Sequence, residues 1–394
     1  MDKIEEILTR GVGNIIPGKK ELEKLLCSGK KLNIYLGIDP TSPRIHLGHA
    51  FPLRKLQQLV ELDHNVSFLI GDFTALIGDT SDKEGERPSL THQEIQANFQ
   101  TYKKQAEKFL DFSKIKVVRN SSWLGKITSE QIIKLCQKFS AGDFYGRELI
   151  RKRLSNGKHV GLHELLYPVM QGYDSYHLDT DIQLGGTDQT FNMQAGRILQ
   201  KAFRDKESFI IANGFLTGTD GRKMSKTWNN GIWLEDSADE VFGKVMSLKD
   251  TLLVEYFTLA ANFPMEKVLD AEKRLSNKEN PLILKKELAF QIVSELHGKE
   301  EAGNARTYFE KTVQNKERPE QMAIFSPSKA LLTSLATVVE AEFAKSNSQG
   351  KILIKQGGFY YNNKRVDDLN FKLNFKTGDI LRKGTLEYRK VILK

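Results

Sequence analysis

The chain has 394 residues, enough for two or three domains with sizeable cores, and its 39% hydrophobic and 28% charged residues give a soluble, globular balance. No stretch approaches the roughly 20 continuous apolar residues of a membrane span, and MDKIEEILTR has no apolar signal core, so a cytoplasmic location is the default expectation. The formal net charge is +9, and it is concentrated: residues 345–394 hold twelve Lys and Arg against four Asp and Glu. That asymmetry reads either as a polyanion-binding tail, with RNA the natural candidate, or as a solvated basic surface.

In chain order, residues 1–30 read as helix, with Ile4, Ile7 and Leu8 on one face and a break at Pro17-Gly18 before ELEKLL. LNIYLGI (32–38) is a short apolar run stopped by Asp39-Pro40, the pattern of a buried strand and turn. From His49 the pattern becomes helical through Phe51, Leu53, Leu56, Leu59 and Val60, and Pro52 fits only in the first turn. VSFLIGD (66–72), DIQLGG (181–186) and SFIIANG (208–214) are further buried strands. Strands alternating with helices predict an α/β fold with a Rossmann-like parallel sheet, whose ligands bind beyond the strand C-termini. The catalytic domain is expected over 1–235, with a helical insertion at about 90–165 and a mobile loop at 218–230. An α-helical domain follows over 236–325, and a small basic α+β domain over 329–394. Cys27 and Cys136 lie far apart without a CxxC partner, which argues against a disulfide framework or structural zinc; no metal site is expected.

Two motifs carry chemistry. His46-Leu47-Gly48-His49 falls between a strand turn and a helix start, where free N–H groups and the helix dipole suit a phosphate, and Gly48 permits close approach of a nucleotide. Lys223-Met224-Ser225-Lys226-Thr227 follows Gly218, Asp220 and Gly221, a loop able to close two ammonium groups over a triphosphate. Either motif alone is commonly a packing histidine pair or a solvated turn. Together they are far more specific.

PTSPRIHLGH (40–49) and KMSKT (223–227) resemble the two signatures of class I aminoacyl-tRNA synthetases. YLGIDPT (35–41), IGD (77–79), YPVMQGYD (167–174) and LGGTDQTFN (184–192) resemble the tyrosyl branch. IKQGGFYYNNKRVDD (354–368) is similar to the ribosomal-protein-like RNA-binding module of its bacterial members. The resemblance covers essentially the whole chain. It implies tyrosine, ATP with Mg2+, and tRNA(Tyr) as substrates, a homodimer joined through the insertion, and no membrane. It also implies site roles. Asp39, Thr41, His46, Gly48, His49, Gly186, Asp188 and Lys226 would hold ATP, with Lys223 and Thr227 assisting and Lys83 and Arg87 adding charge. Tyr167, Gln171 and Asp79 would hold the ammonium of tyrosine, Gln189 its carboxylate, and Tyr35 and Asp174 its phenol. A buried hydroxyl and carboxylate require a hydroxyl-bearing ligand, because phenylalanine would leave them unpaired; otherwise they pair with each other or with the backbone. Thr227 stands where serine is commoner, and GGTDQTFN departs from the GGSDQWGN of many members. The tryptophanyl branch and an RNA-binding protein without catalysis are the rival readings.

Overall fold

The computed structural model describes residues 2–79, 90–222, 224, 228, 230–314, 322–384 and 387–393. They fall into two compact units that divide between Lys299 and Glu300.

The first unit is built on six strands: β1 Val12–Ile16, β2 Asn33–Ile38, β3 Asn65–Ile70, β4 Lys116–Arg119, β5 Ile182–Gly186 and β6 Phe209–Asn213. Their order is β1-β6-β5-β2-β3-β4. β2 to β6 are parallel, while β1 runs antiparallel along β6. Every residue of β6 is buried, as expected of a strand covered on both faces, and this is why the central strands read as short, mainly apolar runs. The chain steps outward from β2 to β3 and β4, then returns to the other side of β2 with β5 and β6. Strand order therefore reverses between β2 and β5, which opens a crevice beyond their C-terminal ends.

Two segments differ from the sequence expectation. Residues 1–30 are not continuous helix: helices Lys3–Thr9 and Lys19–Leu26 flank β1. Within 90–165, β4 interrupts the helices His92–Ala106, Ser129–Cys136 and Glu148–Ser155. Both unforeseen strands lie at sheet edges, where burial is partial and the apolar run is short.

Short single turns, Leu47–His49 and Thr187–Gln189, lead from the β2 and β5 sides into helices Ala50–Glu61 and Thr190–Arg204. Helix Leu162–His177 packs tightly on Thr190–Arg204, because a Cβ at Gly172 would lie 3.0 Å from the Ala195 carbonyl carbon. Helices Ala238–Met246, Leu253–Leu259, Met265–Ser276 and Pro281–His297 complete the unit. The Ser237/Glu240 capping box starts the first of these, and Asn280 with Pro281 starts the last.

In the second unit, β9 Phe359–Tyr361, β12 Ile380–Lys383 and β13 Glu387–Val391 form a sheet with β7 Ala323–Phe325 and β10 Lys364–Arg365, while β8 Leu331–Thr333 pairs with β11 Lys372–Asn374. β7 falls in the stretch expected to be helical. It pairs in parallel with β13 and so belongs to this small α+β unit. Helices Ser334–Glu340 and Asn347–Lys355 cover a core that includes Val338, Ile354, Phe359, Leu373 and Leu381. Lys351, Lys355, Lys364, Arg365, Lys372, Lys376 and Lys390 are exposed around it. Among the described residues no helix is long and apolar enough to cross a membrane.

Candidate active site

A cleft of about 510 Å³ opens at the C-terminal ends of β2 and β5. Tyr35, Asp39, Thr41, His46, Gly48, His49, Asp79, Tyr167, Gln171, Asp174, Gly186, Asp188 and Gln189 all line it. Met224 lines it as well. Lys223, Lys226 and Thr227 lie outside the described residues, as do Lys83 and Arg87.

One end is formed by two buried side chains. Tyr35 on β2 and Asp174 on helix Leu162–His177 are 3% and 1% exposed, so any polar ligand atom reaching them leaves water behind. They do not spend their hydrogen bonds on each other. Tyr35 Oη donates to Gln183 Oε1 at 3.1 Å, and Gln183 is held in turn by its Nε2 donating to Met193 O at 2.9 Å. Asp174 accepts from Trp123 Nε1 at 2.7 Å and from Asn120 Nδ2 at 3.1 Å. Burial pushes the Asp174 carboxyl up to about 8; the Asn120 and Trp123 bonds oppose this, and the charges of Asp39 and Asp72 reinforce it. Burial, helped by the Asp174 charge, raises the Tyr35 phenol well above its ordinary range.

The middle of the cleft is acidic. Asp39 accepts from Thr74 Oγ1 at 2.8 Å and from Tyr167 Oη at 3.0 Å. Thr74 accepts from Asn120 at 3.0 Å, so one network joins Asp174, Asn120, Thr74, Asp39 and Tyr167. The packing around it is tight: a Cβ on Gly71 would lie 1.9 Å from Asp39 Oδ1. Asp79 Oδ2 accepts from Gln189 Nε2 at 2.8 Å, and Gln189 Oε1 accepts from Asn192 Nδ2 at 3.0 Å. Four acidic side chains (Asp39, Asp79, Asp174 and Asp188) thus face one cavity, a set that favours a cationic group.

The other end is the histidine turn. The His46 and His49 rings lie with centroids 4.0 Å apart and tilted 47° to each other, and the Trp233 ring stands edge-on to His46 at 5.8 Å. Leu47 N donates to Ile232 O at 2.8 Å, which pins the turn to the backbone of that segment. His49 Nδ1 lies 3.3 Å from His46 O. A carbonyl can only accept, so Nδ1 carries the proton and Nε2 presents a lone pair. Burial lowers His49 to about 4, against the pull of that carbonyl, so the imidazole is neutral at physiological pH. Gly48 and Gly186 keep the floor low: a Cβ would come within 3.0 Å of His46 Nδ1 at the first and 2.5 Å of Asp188 Oδ1 at the second.

Asn120, Trp123, Thr74, Gln183 and Gly71 carry no motif signal, and their part in the site follows only from tertiary placement. Gly71 was the most accessible of them, as a glycine directly ending an apolar strand.

A parallel sheet with its cleft at the reversal of strand order, and a histidine turn opening the following helix, defines a nucleotide-binding α/β enzyme. The model of the tRNA synthetases class I (W and Y) matches residues 28–314, and the chain belongs to that family. An S4 domain matches residues 335–381. The tyrosine–tRNA ligase of Carboxydothermus hydrogenoformans is 40% identical, over 93% of this chain and 92% of its own. That of Dehalococcoides mccartyi is 38% identical over 99% of each. Among solved structures, the tyrosyl-tRNA synthetase of Archaeoglobus fulgidus complexed with L-tyrosine superposes with a TM-score of 0.61 at 21% identity, covering 77% of this chain and 98% of that one, a likeness of fold alone.

Proposed function

We propose that this chain is a tyrosine–tRNA ligase, which activates L-tyrosine with ATP and transfers it to the 3′-terminal adenosine of tRNA(Tyr). The observation that carries the reading is a single cleft with a buried hydroxyl and carboxylate at one end and a histidine turn at the other. Tyrosine lies with its phenol between Tyr35 and Asp174 and its ammonium among Asp79, Tyr167 and Gln171. Gln189 faces its carboxylate. ATP, arriving with Mg2+ as part of the substrate, places its ribose at Asp188 and Gly186 and its phosphates over Asp39, Thr41, His46, Gly48 and His49. Lys223, Lys226 and Thr227 close on the departing pyrophosphate.

The tyrosine carboxylate attacks the α-phosphorus, the bond to the bridging oxygen breaks, and pyrophosphate leaves. A hydroxyl of the terminal ribose then attacks the adenylate carbonyl and releases AMP. Neither step needs a covalent enzyme intermediate, so catalysis comes from positioning and charge neutralisation. An anion at the histidine turn would raise the His49 pKa from its depressed value and so favour a proton on Nε2 as phosphate arrives.

The enzyme is expected to be cytoplasmic and homodimeric, joined through residues 90–165; sedimentation at micromolar concentration checks the second point, and a monomer contradicts it. Amino-acid-dependent ATP–pyrophosphate exchange tests the activity. Exchange is expected with tyrosine and at background with phenylalanine and tryptophan. Exchange with tryptophan would move the assignment to the other branch, and exchange with none would leave an RNA-binding protein.

A further inference from the structure

The histidine turn and the loop holding Lys223–Thr227 are distant in sequence, yet one seven-residue helix, Leu253–Leu259, is bonded beside both. At its start, Glu255 Oε1 accepts from Thr217 N at 2.6 Å and from Thr217 Oγ1 at 2.9 Å. Tyr256, fully buried, donates its Oη to Thr217 O at 2.7 Å. The amide, hydroxyl and carbonyl of Thr217 are therefore all held by this helix. Thr217 lines the cleft and stands at the root of the loop. Just beyond it the two ends of the loop are drawn together: Thr219 N donates to Asn230 O at 2.9 Å, and Asn230 Nδ2 donates to Asp220 Oδ1 at 2.8 Å. Gly218 is required there, since a Cβ would lie 2.3 Å from Asn230 Nδ2.

The far end of the same helix is tied to the histidine turn's own helix. Arg54, on Ala50–Glu61, donates to Leu259 O at 3.3 Å and Ala260 O at 3.0 Å, and pairs with Glu295 at 2.6 Å. Arg10 takes Thr258 O at 2.8 Å and Ala261 O at 2.7 Å. Two guanidinium groups thus satisfy carbonyls that a helix C-terminus leaves open, at the end where positive charge is favoured.

We infer that helix Leu253–Leu259 is a brace setting the distance between the loop root and the histidine turn, with Glu255 and Arg54 as positioning residues for adenylate formation. Neither residue is part of the cleft lining, so each acts through another: Glu255 through Thr217, Arg54 through helix Ala50–Glu61. The inference rests on the reading of the cleft as a tyrosine-activating site. Its physical basis is that two phosphate-binding parts on separate segments must meet on one triphosphate, and small misplacements of catalytic groups are costly.

Glu255→Ala, Glu255→Gln and Tyr256→Phe test it, in the full chain, by tyrosine-dependent pyrophosphate exchange and by amide hydrogen exchange of residues 216–222. Glu255→Ala is expected to lower kcat by about 10- to 100-fold and raise the KM for ATP, with the KM for tyrosine within about twofold. Glu255→Gln keeps the accepting oxygen and should recover to within about threefold of the parent. Residues 216–222 should exchange faster in the alanine variant while β2 and helix Leu162–His177 keep their protection. Parental kcat and ATP KM in Glu255→Ala would overturn the brace. So would a uniform loss of protection with both KM values rising together, the mark of a merely structural residue. If Glu255→Ala does not fold, Tyr256→Phe, which removes one oxygen, carries the same comparison. A parent without tyrosine-dependent exchange would sink the functional reading, while amide exchange at 216–222 would still decide the brace.

Discussion

On the proposed reading of the site, amino-acid selection turns on Asp174. Its carboxyl group is buried and already accepts from an indole and an amide, so it has capacity left for one more partner. Asp174→Asn puts an NH2 against the Asn120 NH2 or turns the amide away from Trp123. Leaving a buried hydrogen-bonding group without its partner costs about 1–3 kcal/mol, so the KM for tyrosine should rise roughly 5- to 150-fold while that for ATP stays put. Steady-state exchange kinetics read both constants. The same residue gives a pH signature in the ligand-free protein. Its folded value of about 8 lies above the unfolded value of about 3.9, so the native state binds the extra proton. Stability therefore falls as pH rises through that window and levels off above it. Asparagine cannot titrate, so the difference in Tm between Asp174→Asn and the parent should move in favour of the variant from pH 5 to pH 8. A flat difference would mean that the carboxylate is not strained by burial.

At the scale of elements, the helix that carries Tyr167, Gln171 and Asp174 is positioned by its contact with Thr190–Arg204. Gly172→Ala forces these helices apart against the Ala195 backbone. The expected cost is about 1–3 kcal/mol of overpacking, larger than the helix-propensity gain of up to about 1 kcal/mol, and the tyrosine KM should rise with the fall in Tm. Thermal unfolding and exchange kinetics together check this. The same elements show what could be read in advance. β2, β3, β5 and β6 were legible because strands buried on both faces are predominantly apolar, whichever way each side chain points. β1 and β4 were not, since an edge strand such as VGNII or KVVR needs only partial burial and carries Gly, Asn or Lys without penalty. The described motif residues that line the cleft gather there because they sit at strand ends or on helices facing them. The side chains that orient them were illegible, because nothing local in SSW or in DIQ tells that Trp123 will meet Asp174 or that Gln183 will meet Tyr35.

On the scale of the whole molecule, the chain divides between Lys299 and Glu300 into a unit that holds the cleft and one that holds most of the excess positive charge. Because β7 pairs with β13, a clean removal of the basic module must start before Ala323 rather than at residue 329. A chain lacking residues 322–394 should keep tyrosine-dependent exchange within about twofold yet charge tRNA poorly. Its charging should also depend less on salt between about 50 and 200 mM, since fewer phosphates are neutralised. Equal loss of exchange and charging would mean that the second unit supports the first.

The antiparallel edge strand β1 has a consequence for how this protein is made. Its pairing partner among the described residues, β6, comes roughly 200 residues later in the chain, a wait of about 10–40 s at ordinary synthesis rates. Arg10 waits longer still, since its acceptor Ala261 is 251 positions away. Until then β1 lacks its partner strand, while Arg10 can already pair with Glu6, four positions away. β1 and Arg10 therefore take their final places late, a window in which a nascent-chain chaperone would have β1 to hold.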